Sequence, residues 1–274
     1  KLKVGLLVNG VNQRNLNGEI IKNIINNKKI NIDTLIINKK TDKKSRLIYS
    51  LKKHSIKRLI EKILFKMLTE FEKFIFICFF KKFHFKEVNL DNDKIEKIHV
   101  NPIKSKLGGE ESYSEQNVKA IKNRNLDIIL RLDGGILKGE ILKASKNGVL
   151  SFHHGDNDLY RGLPPGFWEV FNREPTTGFI IQQLTNELDG GEVLFKGSIR
   201  TSFFYALNMA KLMKKSTFFI NHVLGEIHNN QSLPKTYKKS PYSYPLYKIP
   251  TLSQQFKYIL KTLYVLIVKL FQSM

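Results

Sequence analysis

The chain has 274 residues, enough to bury roughly three quarters of its unfolded surface in one large domain. Its formal net charge is +22, carried mostly by lysine, with only eight arginines. A single cysteine excludes an internal disulfide framework, and no run of 18 apolar residues marks a spanning helix. No RNA-binding signature or interleaved basic–aromatic strand marks a dedicated nucleic-acid module.

The charge suits an anionic partner such as a nucleic acid or a membrane surface. Lysine, asparagine and isoleucine are all abundant, however, and an AT-rich genome would give the same bias. Cys78, inside "FIFICFF", reads as a buried thiol in a reducing compartment. The opening "KLKVGLLVNG" reads as a first core strand rather than a signal peptide. A cytoplasmic location, extending to the inner membrane face, is therefore expected.

In chain order, "LKVGLLV" is a nearly continuous apolar run of the kind that forms a buried parallel strand. "NGEIIKNIINN" has helical spacing and "IDTLIIN" is a second strand, so the chain opens as βαβ. The intervening loop lacks G-x-G-x-x-G, so no dinucleotide fingerprint is present. Residues 44–72 are basic and periodically apolar, which predicts one or two amphipathic helices, and the lysine-rich stretch 38–66 reads as a solvated helical face. "FIFICFF" fits a strand or a continuing helix. "KIHV" is a weak strand, and "SEQNVKAIKNRN" a helix capped by Ser114. "LDIILRL" is a strand, "KGEILKASKNG" a short helix stopped by Gly148, and "VLSFH" a strand. "GLPPGFWEVFN" turns into a helix that packs Trp168 into the core. "TTGFIIQQL" and "GEVLFKGSIRT" are strand-like, and "FFYALNMAKLMKKSTFFINHVLGEIHNN" is a long helix. A proline- and tyrosine-rich stretch precedes a last helix from Leu252 to Phe271. The alternation predicts a doubly wound, mostly parallel α/β sheet, with the site at strand C-termini.

The strand "VLSFH" ends in "SFHHGDNDLYRG", Ser151 to Gly162, with two adjacent histidines, two aspartates and an arginine. A metal site, an acid–base centre and a polar loop are the competing readings. Adjacent strand residues face opposite ways, so His153 and His154 do not converge on one ion. Asp156 and Asp158 are turn formers by residue type.

Together, "DIILRLDGGILKGEILKASKNGVLSFHHGDNDLYRG" and "TTGFIIQQLTNELDGGEVL" resemble the formyltransferase family. Its signature is a strand ending in Asn-x-His, then "RG", "TG" and "LDTG". The matching positions here are Ser151, His153, Arg161 with Gly162, Thr177 with Gly178, and the run Leu188, Asp189, Gly190, Gly191. The closest resemblance is to a divergent branch with "SFHHGDN…RG.PPGFWEV". In that branch a glycosyltransferase-like domain often follows.

The resemblance implies a Rossmann-like formyltransferase fold with a helical C-terminal extension. Residues 1–230 would form the catalytic domain, and 231–274 a linker and amphipathic helix. It implies transfer of a formyl group from 10-formyltetrahydrofolate to a primary amine, with an amino sugar of an envelope glycan or glycolipid preferred. His153 would be the acid–base residue, Asp189 would orient it, and Ser151 would take the place of the family asparagine as oxyanion donor. Leu132, Gly134, Ile136, Leu137 and Asp189 would form the folate pocket. His154, Asp156 and Arg161 would meet the acceptor. No metal is implied. Asp133 takes a position that is usually aromatic or small. An impaired, purely binding module and a membrane-associated part of a longer protein are the alternatives. The last helix carries Leu252, Phe256, Ile259, Leu260, Leu263, Ile267 and Leu270 near one face, too apolar to lie bare in water. It is expected to dock on its own domain, a partner, a following domain or a membrane surface.

Overall fold

The computed structural model describes residues 1–13, 15–39, 55–79, 87–105, 110–132, 135–156, 158–187, 191–237 and 246–272. Asp133, Gly134, Asp189 and the side chain of Cys78, each singled out from the sequence, lie outside the described residues.

Among the described residues, seven strands build one sheet: β1 (Leu2–Val8), β2 (Ile30–Asn38), β3 (Glu96–Val100), β4 (Ile128–Arg131), β5 (Val149–His153), β6 (Thr176–Gln183) and β7 (Glu192–Arg200). Their spatial order is β7-β6-β5-β4-β1-β2-β3. Strands β3, β2, β1, β4 and β5 run parallel, while β6 and β7 are antiparallel additions at one edge. The chain runs outward from β1 to β3, then returns to β1's other side with β4. This reversal is the topological switch point at which open α/β sheets bind ligands.

The period of two along each strand divides the core. Leu2, Val4, Leu6 and Val8 of β1 pack under α1 (Asn15–Ile25) and a long helix. Leu7, Ile129 and Val149 pack on the opposite face, against Val118 and Ile121 of a short helix, Glu115–Lys122. Gly5 leaves room there, since a Cβ on it would come within 2.6 Å of Leu126 Cδ1 and displace that side chain. Ser114 caps the short helix as expected, its Oγ accepting from Asn117 N at 3.3 Å.

The other helices of the described residues are α2 (Ile56–Phe79), α3 (Glu115–Lys122, the short helix above), α4 (Phe167–Asn172), α5 (Tyr205–Asn230, the long one) and α6 (Leu252–Gln272). The ambiguous "FIFICFF" continues α2, since Phe76 extends the buried row formed by Glu61, Phe65 and Glu72. The helix expected before Gly148 is one 3-10 turn, Glu140–Lys143, closed by Ala144 N–H to Ile141 C=O. Of the lysine-rich stretch 38–66, residues 40–54 lie outside the described residues, while Lys57 and Lys66 are solvated on α2. Its outward side is largely apolar, and lysines lie along the flanks.

Helix α6 is seated on the domain. Tyr258 is buried with Phe65, Phe167 and Trp168. No sequence pattern signals that α2 and α6 together cap α5. Glu72 Oε2 accepts from Ala206 N at 2.8 Å, and Tyr258 Oη accepts from Tyr205 N at 2.8 Å. Tyr258 in turn donates to Glu72. These groups satisfy N–H donors that α5's own N-cap, Phe204, leaves without a side-chain partner.

Candidate functional site

Strand β5 carries the histidine motif to the C-terminal edge of the parallel set. Val149, Ser151 and His153 face one side, while Leu150, Phe152 and His154 face the other. Ser151 lies opposite Gln182 and His153 opposite Ile180 in the antiparallel register with β6. Ile180 lies opposite Lys196 of β7. His153, Ile180 and Lys196 therefore form a row across one face. Beside it is a pocket of about 280 Å³ lined by Gly155, Asp156, Gly178, Ile180, Lys196 and Ser198.

The loop after β5 is folded by its own aspartates. Asp156 Oδ1 accepts from Asp158 N at 2.9 Å, and the Asp156 carbonyl accepts from Leu159 and Tyr160. Asp158 pairs with Lys196, tying the loop to β7. The "TG" element is a packing requirement, since a Cβ on Gly178 would lie 2.9 Å from Asp156 Cα. Gly162 of "RG" has φ of 100°, and a Cβ there would meet Tyr247 O at 2.2 Å. Arg161 is half-buried beside it, and its carbonyl accepts from Tyr247 N at 2.8 Å.

Glu169 is the residue that the sequence reading missed. It lies on α4 and is only 1% exposed. Its Oε1 accepts from Asp156 N at 3.2 Å, and its Oε2 is buried without a hydrogen bond among the described residues. A Cβ on Gly155 would lie 3.3 Å from His153 Nε2 and 3.5 Å from Glu169 Oε1. Imidazole and carboxyl thus both lie close to the Gly155 backbone, where a side chain would be crowded. Burial pushes the Glu169 carboxyl up to about 7, aided by the nearby Asp156 and Glu174 charges and opposed by two backbone hydrogen bonds. A proton can therefore be held or released there near neutral pH. The available signal was a glutamate among Phe167, Trp168, Val170 and Phe171, a charge set in an apolar helix.

His154 corrects the expectation of an acceptor contact. It points away from the pocket, stacks on Phe152 at 5.8 Å and shares a 2.9 Å hydrogen bond with Ser216. Burial, with His153 adding to it, drives its pKa down to about 3, so it is a neutral core imidazole.

Strands β4 and β5 end at a common edge, with Leu130 opposite Leu150. Leu132 and Ile136 are half-buried just beyond it, but the Leu137 side chain belongs to the core with Leu7 and Val149. Arg131, buried at the end of β4, was also missed. After the segment that contains Asp189, the described chain resumes at Gly191. A Cβ there would lie 2.6 Å from Oε1 of Gln182, the partner of Ser151. A second cleft, of about 690 Å³, opens at the ends of β1, β2 and β3, lined by Asn9, Gly10, Asn12, Asn38 and His99.

No protein-family model matches the chain. A methionyl-tRNA formyltransferase of Fusobacterium nucleatum is 27% identical over 121 residues, 41% of this chain and 39% of the relative. The match thus spans about two fifths of that protein's length. Among solved structures, glycinamide ribonucleotide transformylase 1 from Symbiobacterium toebii superposes with a TM-score of 0.53 at 9% identity, covering 85% of this chain and 93% of that one. A sugar N-formyltransferase from a Shewanella species gives 0.50 at 16% identity, covering 95% and 87%. At these identities the likeness is one of fold. The central sheet and its flanking helices are those of the formyltransferases.

Proposed function

We propose that the chain transfers a formyl group from 10-formyltetrahydrofolate to a primary amine, with an amino sugar of an envelope glycan or glycolipid as the acceptor. The observation that supports this reading is the placement of Ser151 and His153 on one face at the end of β5 in a formyltransferase fold, with His153 and the buried Glu169 both close to the Gly155 backbone. Formyl transfer requires an amine to lose a proton while negative charge builds on the carbonyl oxygen. His153 serves as the proton acceptor, with Glu169 beside it to hold or relay the proton. Ser151, on the same face, supplies a hydroxyl donor toward the oxygen where the family has an amide. Asp189 and Gly134 enter only through the resemblance.

The folate would supply the activated formyl group. The half-buried Leu132 and Ile136 give it an apolar, backbone-rich edge suited to a flat ring, and Leu137 meets it through the backbone alone. The acceptor takes the pocket beside His153. Asp156 and Lys196 line that pocket and Arg161 is on the adjoining loop, so a polar acceptor with hydroxyl or phosphate groups fits.

The test is an assay of folate-dependent formylation across a panel of nucleotide-linked amino sugars, read by product mass. His153→Asn should abolish turnover while the fold survives. Ser151→Asn should preserve or raise the rate, because it restores the amide donor. A drop of about 100-fold in Ser151→Asn would show that the serine has its own role. Binding of a stable folate analogue without formylation of any amine would identify a binding module instead, a reading favoured by the serine at position 151.

A further inference from the structure

Helices α2 and α6 are built inside out. On α2 the row facing the domain contains Glu61, Phe65, Thr69, Glu72 and Phe76. The opposite side shows Ile56, Ile60, Ile63, Met67, Phe71 and Phe74, repeating every three or four residues. The pattern recurs on α6, where Gln255, Tyr258 and Thr262 are buried and Phe256, Leu260, Leu263, Ile267 and Phe271 face outward. The inward polar groups are accounted for. Glu72 and Tyr258 cap α5, and Gln255 Nε2 donates to the Glu61 carbonyl at 2.8 Å, which joins the two helices at that point. The outward apolar stripes have no such account. Of the twenty-three large hydrophobic residues that the described chain exposes, seven lie on α2 and nine on α6. A concentration of this kind marks an interaction surface.

The net charge around the stripes is positive, the exposed Glu70 being matched by Lys73. Lys57, Lys62, Lys66 and Lys73 run along the flanks of α2. Its carboxylates are diverted: Glu61 and Glu72 are buried, and Glu70 pairs with Lys73 at 2.8 Å. On α6 Lys257 is exposed and no residue is acidic, while Lys261 turns to the domain, donating to the Phe171 carbonyl at 2.7 Å and lying 4.6 Å from the centre of its ring. No helix among the described residues is long and apolar enough to cross a membrane. We propose that the outward faces of α2 and α6 form a platform that lies on an anionic lipid bilayer, with the apolar stripes in the acyl boundary and the lysines at the headgroups. Charge complementarity selects this occupant. A second copy would set +22 against +22, whereas an anionic surface attracts each flanking lysine. The inference does not depend on the chemistry proposed for the strand-end site.

The test is co-sedimentation of the purified chain with phosphatidylcholine vesicles, with and without about 30 mol% phosphatidylglycerol. Binding to the anionic vesicles should exceed binding to neutral ones by about tenfold or more and should weaken as salt rises. The exposed-face double variant Met67→Glu with Leu263→Glu should lose most of that binding while its circular dichroism stays native. As a second readout, Phe71→Trp keeps the face apolar, and the emission that the new indole adds should be quenched by brominated acyl chains. The proposal is overturned if the native chain ignores anionic vesicles, if the double variant binds as well as native, or if the introduced indole is not quenched. It also falls if the native chain is a dimer that the double variant disperses and neither binds vesicles.

Discussion

Two buried ionisable side chains at the strand end have opposite consequences for stability. The Glu169 carboxyl is raised from 4.5 to about 7, so the folded chain holds a proton that the unfolded chain releases between those values. Stability from this group is therefore fully present below about pH 4.5 and is lost as pH rises to about 7, by about 3 kcal/mol. His154 runs the other way. Its pKa falls from 6.5 to about 3, so its contribution is present above 6.5 and is lost as pH falls toward 3. Between about pH 4.5 and 6.5 the two slopes oppose each other. Glu169→Gln should remove one of them. The stability of the variant relative to native should climb by about 3 kcal/mol between about pH 4.5 and 7, measured by urea unfolding across that range. A constant offset across the range would show that the carboxyl is not buried in its charged form. The same variant should shift the pH profile of formylation if Glu169 relays the proton from His153.

At the scale of elements, α5 depends on two helices distant in sequence. Tyr258→Phe removes the acceptor of Tyr205 N–H and the donor to Glu72, leaving a buried carboxyl that burial already disfavours as an anion. The expected loss is about 1–3 kcal/mol, measured by thermal or urea unfolding. Glu72→Gln keeps an oxygen facing Ala206 and should cost less. This arrangement also shows what was legible beforehand. Strands β1, β2 and β4 were evident as short apolar runs bounded by turn residues, β3 showed only weakly because its run mixes charged and apolar residues, and the strand end was evident from its motif. Glu169 was obscured by its aromatic neighbours, since periodicity marks a helix without showing which glutamate is sealed inside it. Helices α2 and α6 were legible as amphipathic, but their orientation was not, for a related reason. A period of 3.6 finds an apolar stripe but does not say which side of it faces the domain. Their inward groups are chosen to cap a third helix, a relation between segments 134 and 53 residues apart that no local pattern contains.

At the scale of the whole molecule, the centre of the sheet joins the most distant parts of the N-terminal half. Lys3 N–H donates to Asp127 at 2.7 Å across 124 residues, and Val4 pairs with Ile128. While the chain is being made, β1, β2 and β3 are complete long before β4 exists. Until then β1 has an open edge, and Leu6 and Val8 lack a neighbouring strand on that side. Closing so long a loop is entropically costly, and sheets with such pairings form slowly. A nascent chain halted before Arg131 has cleared the ribosome should be cut readily by protease and held by chaperones that bind apolar strands. A chain halted after β5 has emerged should resist cleavage. The residues that deliver the histidine motif to its place would then also mark the moment at which the newborn protein becomes safe from degradation.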